Sequence, residues 1–173
     1  EIPLNEGVLS GVQVILKKNT LLNPSSDSAI VGGNVLTSQR LVDLILKPFN
    51  IVAASQGCMN NFTFGSDDFG YYETIAGGTG AGESFIGADA VHSHMTNTKI
   101  TDPEILESRY PVILKEFSIR MGSGGSGLHA GGNGIKRQFQ FLKNLDVGIL
   151  SERRVFKPYG LHEGGEGQRG ENT

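Results

Sequence analysis

Glycine sets the first limit on what this chain can fold into. Its 173 residues include 25 glycines, twice the usual ~7%. They gather at Gly77–Gly82, Gly122–Gly134 and Gly160–Gly170, between segments rich in β-branched and aromatic residues. That pattern predicts tight loops on a β-rich scaffold rather than a disordered tail. The fold class expected is α+β: antiparallel hairpins, a longer helix at about 36–47, a short helix at about 102–109, and glycine-rich loops between them. The last cluster, near the end of the chain, is expected to be mobile.

Length is enough for one domain with a sizeable core. The chain begins at Glu1 with no initiator methionine, so residues 1–173 read as part of a domain from a longer protein. A net charge of -3 gives no basic footprint for nucleic acid. No apolar run approaches the roughly 18–20 residues of a membrane span, and no signal-peptide pattern is present. One cysteine, Cys58, rules out an internal disulfide framework and fits a reducing, cytosolic compartment.

Along the chain, Val8–Leu16 reads as a partly buried strand. Leu36–Lys47 reads as a helix with Leu41, Leu44 and Ile45 at core spacing and Pro48 at its end. Met59–Gly65 and Phe69–Ile75 flank the turn Ser66-Asp67-Asp68 and predict a hairpin. Thr101 and Glu104 have capping-box spacing, with Pro103 in the first turn of the short helix. Pro111–Arg120 is a nearly continuous apolar run, expected as a buried strand. In Ile135–Leu142, Ile135, Arg137, Phe139 and Phe141 share one face; with Leu145–Ile149 across Lys143-Asn144, this predicts a second hairpin.

His92 and His94 are two apart, so on a strand they would converge on one face as metal ligands or substrate contacts. The plain alternative is a strand-end pair. The loop Gly77-Gly78-Thr79-Gly80-Ala81-Gly82 has Glu83 where a dinucleotide fingerprint needs glycine and a phosphate loop needs lysine. Its N–H groups could still form an oxyanion hole, or it is simply a turn. No nucleophile elbow surrounds Ser123 or Ser126, and Cys58 reads more readily as a packed thiol than as a nucleophile. Arg153 and Arg154 could clamp a carboxylate or phosphate, or pair internally with Glu152. Asn60 and Asn61 are adjacent, so only one can face a given pocket.

Taken in order, the motifs resemble one family. They are Gly33-Asn34-Val35-Leu36-Thr37-Ser38-Gln39-Arg40, Ala54-Ser55-Gln56-Gly57-Cys58-Met59-Asn60-Asn61 and Tyr71-Tyr72-Glu73-Thr74. The glycine loop at 77–82 follows, then Val91-His92-Ser93-His94-Met95-Thr96-Asn97-Thr98, Thr101-Asp102-Pro103-Glu104 and Ile149-Leu150-Ser151-Glu152-Arg153-Arg154. The chain looks like the B part of the hydantoinase B / 5-oxoprolinase family, in its ATP-hydrolysing oxoprolinase branch. The resemblance implies ATP-dependent opening of 5-oxo-L-proline to L-glutamate, a step of glutathione metabolism. The alternatives are a related hydantoinase-type cyclic amide hydrolase, or a non-catalytic bracing portion of the enzyme.

It implies that ATP and Mg2+ bind mainly to an A-type half, fused or as a subunit, and that any divalent metal has its ligands upstream. It also implies a homo-oligomer, no nucleic-acid or membrane partner, and an inactive isolated chain. Glu73, His92 and His94 are the catalytic residues expected on this basis. Asn60, Gly78, Gly80, Asn97 and Arg153 are the expected substrate contacts. One departure stands out: the family has an aromatic-Arg-Gly-Gly-Asp-Gly run where this chain has His129-Ala130-Gly131-Gly132-Asn133-Gly134. An ion pair there is lost, while Asn133-Gly134 retains good turn chemistry.

Overall fold

A computed structural model describes residues 5–173, which divide into two units, one ending at Val31 and one from Gly32 to Thr173. In the first unit, Asn5 accepts the Gly7 N–H at 2.9 Å and caps a 3₁₀ turn, Glu6–Leu9. The strand expected at Val8–Leu16 does not form. The turn takes its first residues, and Val12, Val14, Ile15 and Leu16 are exposed with no ladder among the described residues. Apolar alternation makes a strand only where a second strand satisfies its N–H and C=O groups.

The second unit contains α1 (Ser38–Leu46), β1 (Asn61–Gly65), β2 (Gly70–Thr74), α2 (Pro103–Arg109), β3 (Val112–Ile119), β4 (Ile135–Phe141) and β5 (Asp146–Leu150). The mixed α+β class holds. The β1–β2 hairpin is antiparallel, with Phe62 opposite Glu73 and Phe64 opposite Tyr71. However, β5 pairs with β1, and β4 pairs with β3. The hairpin expected from β4 and β5 is therefore replaced by two long-range pairings.

Aromatic side chains on the inward faces join the two sheets. Phe62 stacks on Phe139 of the other sheet with centroids 5.0 Å apart. Phe64, stacked on its cross-strand neighbour Tyr71 at 4.7 Å, meets the Phe141 ring of the other sheet at 5.7 Å. Leu106 of α2 and Val112 at the start of β3 close this core. Each fully buried side chain of this kind stabilises the fold by about 1.5–3 kcal/mol. The rest of β3 alternates between half-buried and exposed, so it is not the fully buried strand its composition predicted. A sheet of two strands has only one partner layer to cover it.

Helix α2 has the expected span, but its cap is Asp102 rather than Thr101. The Asp102 carboxylate accepts the N–H groups of Glu104 (2.9 Å) and Ile105 (3.4 Å), ahead of Pro103 at the first helical position. Helix α1 follows a π turn, Gly33–Thr37. Its core side differs from the expected one: Gln39 and Asp43 are buried and Leu41 is half-buried, while Leu44 and Ile45 lie exposed. Among the described residues, no helix is long and apolar enough to cross a membrane.

The glycine clusters run as backbone packed on backbone. A Cβ on Gly80 would collide with the Ala53 carbonyl, and one on Gly132 with the Ala88 carbonyl. Only glycine permits that approach. The cluster expected to be mobile is tied down: Gly165, Gly167 and Gln168 donate to the carbonyls of Ser126, Pro158 and Ser123. Asn133-Gly134 is not a turn; Asn133 donates through its N–H (2.6 Å) and Nδ2 (3.2 Å) to Asp89 and accepts the Gly124 N–H at 3.0 Å.

Candidate functional site

A polar face on a half-buried helix must find partners, because each unsatisfied group costs its desolvation. Gln39 and Asp43 lie one turn apart on α1 and find theirs far along the chain. With its amide oxygen toward Thr96, Gln39 accepts the Thr96 hydroxyl (2.7 Å) and N–H (3.0 Å) and the Met95 N–H (3.2 Å), and donates to the Ser93 carbonyl (3.2 Å). This orientation satisfies both ends of the Gln39 amide. It fixes the turn that carries His94, whose φ of 55 lies in the left-handed region, a sparsely used conformation that clusters at functional sites.

Asp43 is 4% exposed and its four acceptor positions are all used. Oδ1 accepts the Ser55 N–H at 3.0 Å and His94 Nε2–H at 2.8 Å. Oδ2 accepts the Ser55 hydroxyl at 3.1 Å and Arg153 Nη2–H at 2.9 Å. The Tyr159 hydroxyl donates to the Asp43 backbone carbonyl at 2.7 Å. Burial alone would raise the Asp43 carboxyl. Hydrogen bonds from His94 and Ser55, with the charge of His94, outweigh it and hold the group below its ordinary value.

An ionised carboxylate only accepts, so Nε2 of His94 carries a proton toward Asp43, and in the neutral ring Nδ1 is the acceptor. This is how a carboxylate sets a histidine tautomer for general-base work. His94 is 12% exposed on its side chain.

Arg153 is the other arm of this hub. It sits at a φ of 58, and its guanidinium is pushed down by burial and by the neighbouring Arg40, against the pull of Asp43. It borders a cleft of about 1290 Å³ walled by the glycine loops, together with Ser55 and Tyr159.

The structure separates the expected site residues. His92 and His94 do not converge, because residues 91–94 form no strand and the chain reverses at His94. His92 Nε2 lies 3.3 Å from the Thr74 hydroxyl, and burial lowers its pKa. Glu73 points into the aromatic core, where its carboxylate accepts Arg137 Nε–H at 3.2 Å, Arg137 Nη2–H at 2.7 Å and the Tyr71 hydroxyl at 2.8 Å.

Asn60 has a φ of 50; its Nδ2 donates to the Ile75 carbonyl at 3.3 Å and its Oδ1 accepts from the Cys58 thiol. Asn60 thus braces the loop, while Asn61 faces Tyr72. Gly78 N–H donates to the Val91 carbonyl (3.1 Å), Thr79 N–H to Ala88 and Gly82 N–H to Phe85, so these donors are committed within the fold. Gly78 and Gly80 still line the cleft, and Asn97 is exposed beside the His94 turn. Among the described residues, no three His, Cys, Asp or Glu side chains come together as a metal-binding group.

Asp43, Gln39, Arg40, Ser55 and Tyr159 were absent from the expected site. The one signal available was the four-residue spacing of Gln39 and Asp43, opposite the apolar stripe of α1.

A family model described as Hydantoinase B/oxoprolinase matches residues 1–173. The chain is 62% identical over 172 residues to a 5-oxoprolinase of Dictyostelium discoideum and 56% identical to 5-oxoprolinase 1 of Arabidopsis thaliana, in each case over 99% of this chain and 14% of the relative. It is 53% identical to a 5-oxoprolinase of Saccharomyces cerevisiae, over 99% of this chain and 15% of that protein. The chain thus spans about one seventh of the length of these relatives. Matched from end to end, it belongs to the Hydantoinase B/oxoprolinase family.

Proposed function

We propose that this chain is part of an ATP-hydrolysing 5-oxoprolinase, in the half that completes opening of the 5-oxo-L-proline lactam to L-glutamate. The names of its relatives support the activity. The observation that carries the role of this chain is the buried Asp43 holding His94 Nε2 at 2.8 Å. In this reading Nδ1 of His94 takes a proton from water as the water oxygen attacks the lactam carbonyl carbon and the C=O electron pair moves onto its oxygen. Collapse of that adduct breaks the C–N bond, and the proton on Nδ1 passes to the departing ring nitrogen. Arg153, on the other oxygen of Asp43, is the cationic substrate contact. His92, Asn60, Gly78, Gly80 and Asn97 shape the surrounding polar wall, and Glu73 remains in the core.

The residues here do not fit a nucleotide or metal site. Glu83 stands where a phosphate-loop lysine would be, several loop N–H groups are already used, and no three metal-ligating side chains gather among the described residues. ATP and Mg2+ are assigned to an A-type half, fused or as a subunit, and no step above passes through them. A cytosolic, homo-oligomeric enzyme completes the proposal.

The full-length wild-type enzyme should form L-glutamate from 5-oxo-L-proline only when ATP is supplied. His94→Ala should lower glutamate formation by about 10²–10⁴-fold, with added imidazole restoring part of it. Intact turnover in His94→Ala would favour the second reading, a bracing module with no catalytic group.

A further inference from the structure

We infer that Arg40 and Arg153 form a two-guanidinium fork for the carboxylate of the lactam substrate, with Arg40 the specificity-determining residue. The inference rests on the function proposed above and assigns the substrate group that this site reads. The Arg40 side chain makes no hydrogen bond or ion pair to any described residue, and its Nη1 is buried without an acceptor. Arg153 spends Nη2 on Asp43 and Nη1 on the Lys157 carbonyl at 3.4 Å, which leaves its Nε buried and also without an acceptor.

The two unpartnered groups are neighbours. A Cβ built on Gly57 would lie 3.0 Å from Arg153 Nε and 3.3 Å from Arg40 Nη1. Gly57 has a φ of +88, so the backbone that brings them together suits glycine. Asp43 cannot serve Arg40 as well, since both of its oxygens are fully used. What the pair lacks is one group with acceptor oxygens for adjacent N–H donors, and a carboxylate supplies that.

A hollow of about 290 Å³ opens at this place, lined by both arginines and by Arg154, Glu152, Val155 and Phe156. Three arginines against Asp43 and Glu152 leave one net positive charge, which matches a monoanion better than a doubly charged phosphate. Val155 and Phe156 add apolar wall for ring methylenes. The hydantoin ring carries no carboxylate, so such a fork would favour 5-oxoproline over hydantoin-type lactams.

The test measures calorimetric binding of 5-oxo-L-proline and of its neutral primary amide to the full-length enzyme. The wild type should bind the acid about tenfold or more tightly than the amide. Arg40→Gln should lose most of the acid preference, Arg153 holding the remainder, and Arg40→Lys should recover part of it. Retention of the acid preference in Arg40→Gln would overturn the fork. A wild type that binds neither compound would instead overturn the proposed function, and the fork with it.

Discussion

Among the described residues, two buried carboxylates meet an arginine, and their surroundings differ. Glu73 and Arg137 lie between the two sheets, with side chains 2% and 1% exposed. The guanidinium rests over the rings of Phe117 (4.6 Å) and Phe139 (5.0 Å), and the Tyr71 phenol, pushed up to about 12 chiefly by burial, donates to the same carboxylate. Asp43 and Arg153 lie at the junction of a helix and three loops, beside His94, and of the three Arg153 borders the clefts. The first pair is closed in by aromatic rings, although Arg137 Nη1 is also buried without an acceptor and Arg137 borders the cleft of about 1290 Å³. The second has a left-handed histidine and a left-handed arginine, and its unpartnered Arg153 Nε lies close to a second unpartnered guanidinium nitrogen, Nη1 of Arg40. The difference is the strained backbone and the gathering of two unsatisfied cations, which the aromatic pair lacks.

The comparison can be broken most sharply at Arg137. Removing one partner of a buried pair leaves an uncompensated charge, at a cost of about 3–5 kcal/mol. In the full-length enzyme, Arg137→Met should speed hydrogen exchange at the β1 and β2 amides by on the order of a hundredfold or more. Glu73→Leu combined with Arg137→Met should recover most of the protection. If the single variant exchanges like the wild type, the closed-pair reading fails.

Gly57→Ala acts on the other hub and should cost less. Alanine at a φ of +88, against Arg153 and Arg40, should destabilise by about 1–2 kcal/mol and weaken 5-oxo-L-proline binding. Unchanged affinity would separate Gly57 from the site.

Acid should open the Asp43 hub before the enzyme as a whole unfolds. The folded pKa of Asp43 is depressed, so its contribution is complete above the unfolded carboxylate value of about 4 and is lost as pH falls through the lower folded value. His92 is likewise depressed, by burial. Its contribution is full above about 6.5 and declines as pH falls toward the folded value. The Ser55 amide, which donates to Asp43, is the reporter: corrected for intrinsic exchange, its protection should persist to about pH 4 and then fall. Protection lost already near neutrality would contradict an ionised, satisfied Asp43.

The smallest effect belongs to Cys58. It is fully buried, and burial raises its thiol above the ordinary value. Iodoacetamide should label it in the native enzyme at least about tenfold more slowly than in urea. Equal rates would place the thiol at an open surface.

Much of the fold was legible wherever the physics is local. The β1–β2 hairpin follows from alternation around one short turn, α2 from Pro103 and Glu104 in its first turn (its cap falling at Asp102 rather than Thr101), and the inward face of β4 from the spacing of Arg137 and Phe139. Long-range choices were not. The β4 and β5 segments, joined by Lys143-Asn144, have the look of a hairpin, yet β5 completes the sheet of β1 and β4 is taken by β3. Within the candidate site, the His94 stretch and Arg153 were legible as polar motifs. Asp43 was not, because Leu44 and Ile45 suggested an apolar inward face and its partners lie 51 and 110 residues away. The convergence of His92 and His94 depended on a strand that a left-handed turn replaces.

The most direct measurement of the central claim is the number of glutamates formed per ATP hydrolysed in full-length His94→Gln and Glu73→Gln. If the Asp43 hub is the site, His94→Gln lowers that ratio by about tenfold or more, while Glu73→Gln keeps it near the wild-type value even where the enzyme is less stable. A ratio that collapses in Glu73→Gln and stays intact in His94→Gln would contradict the account.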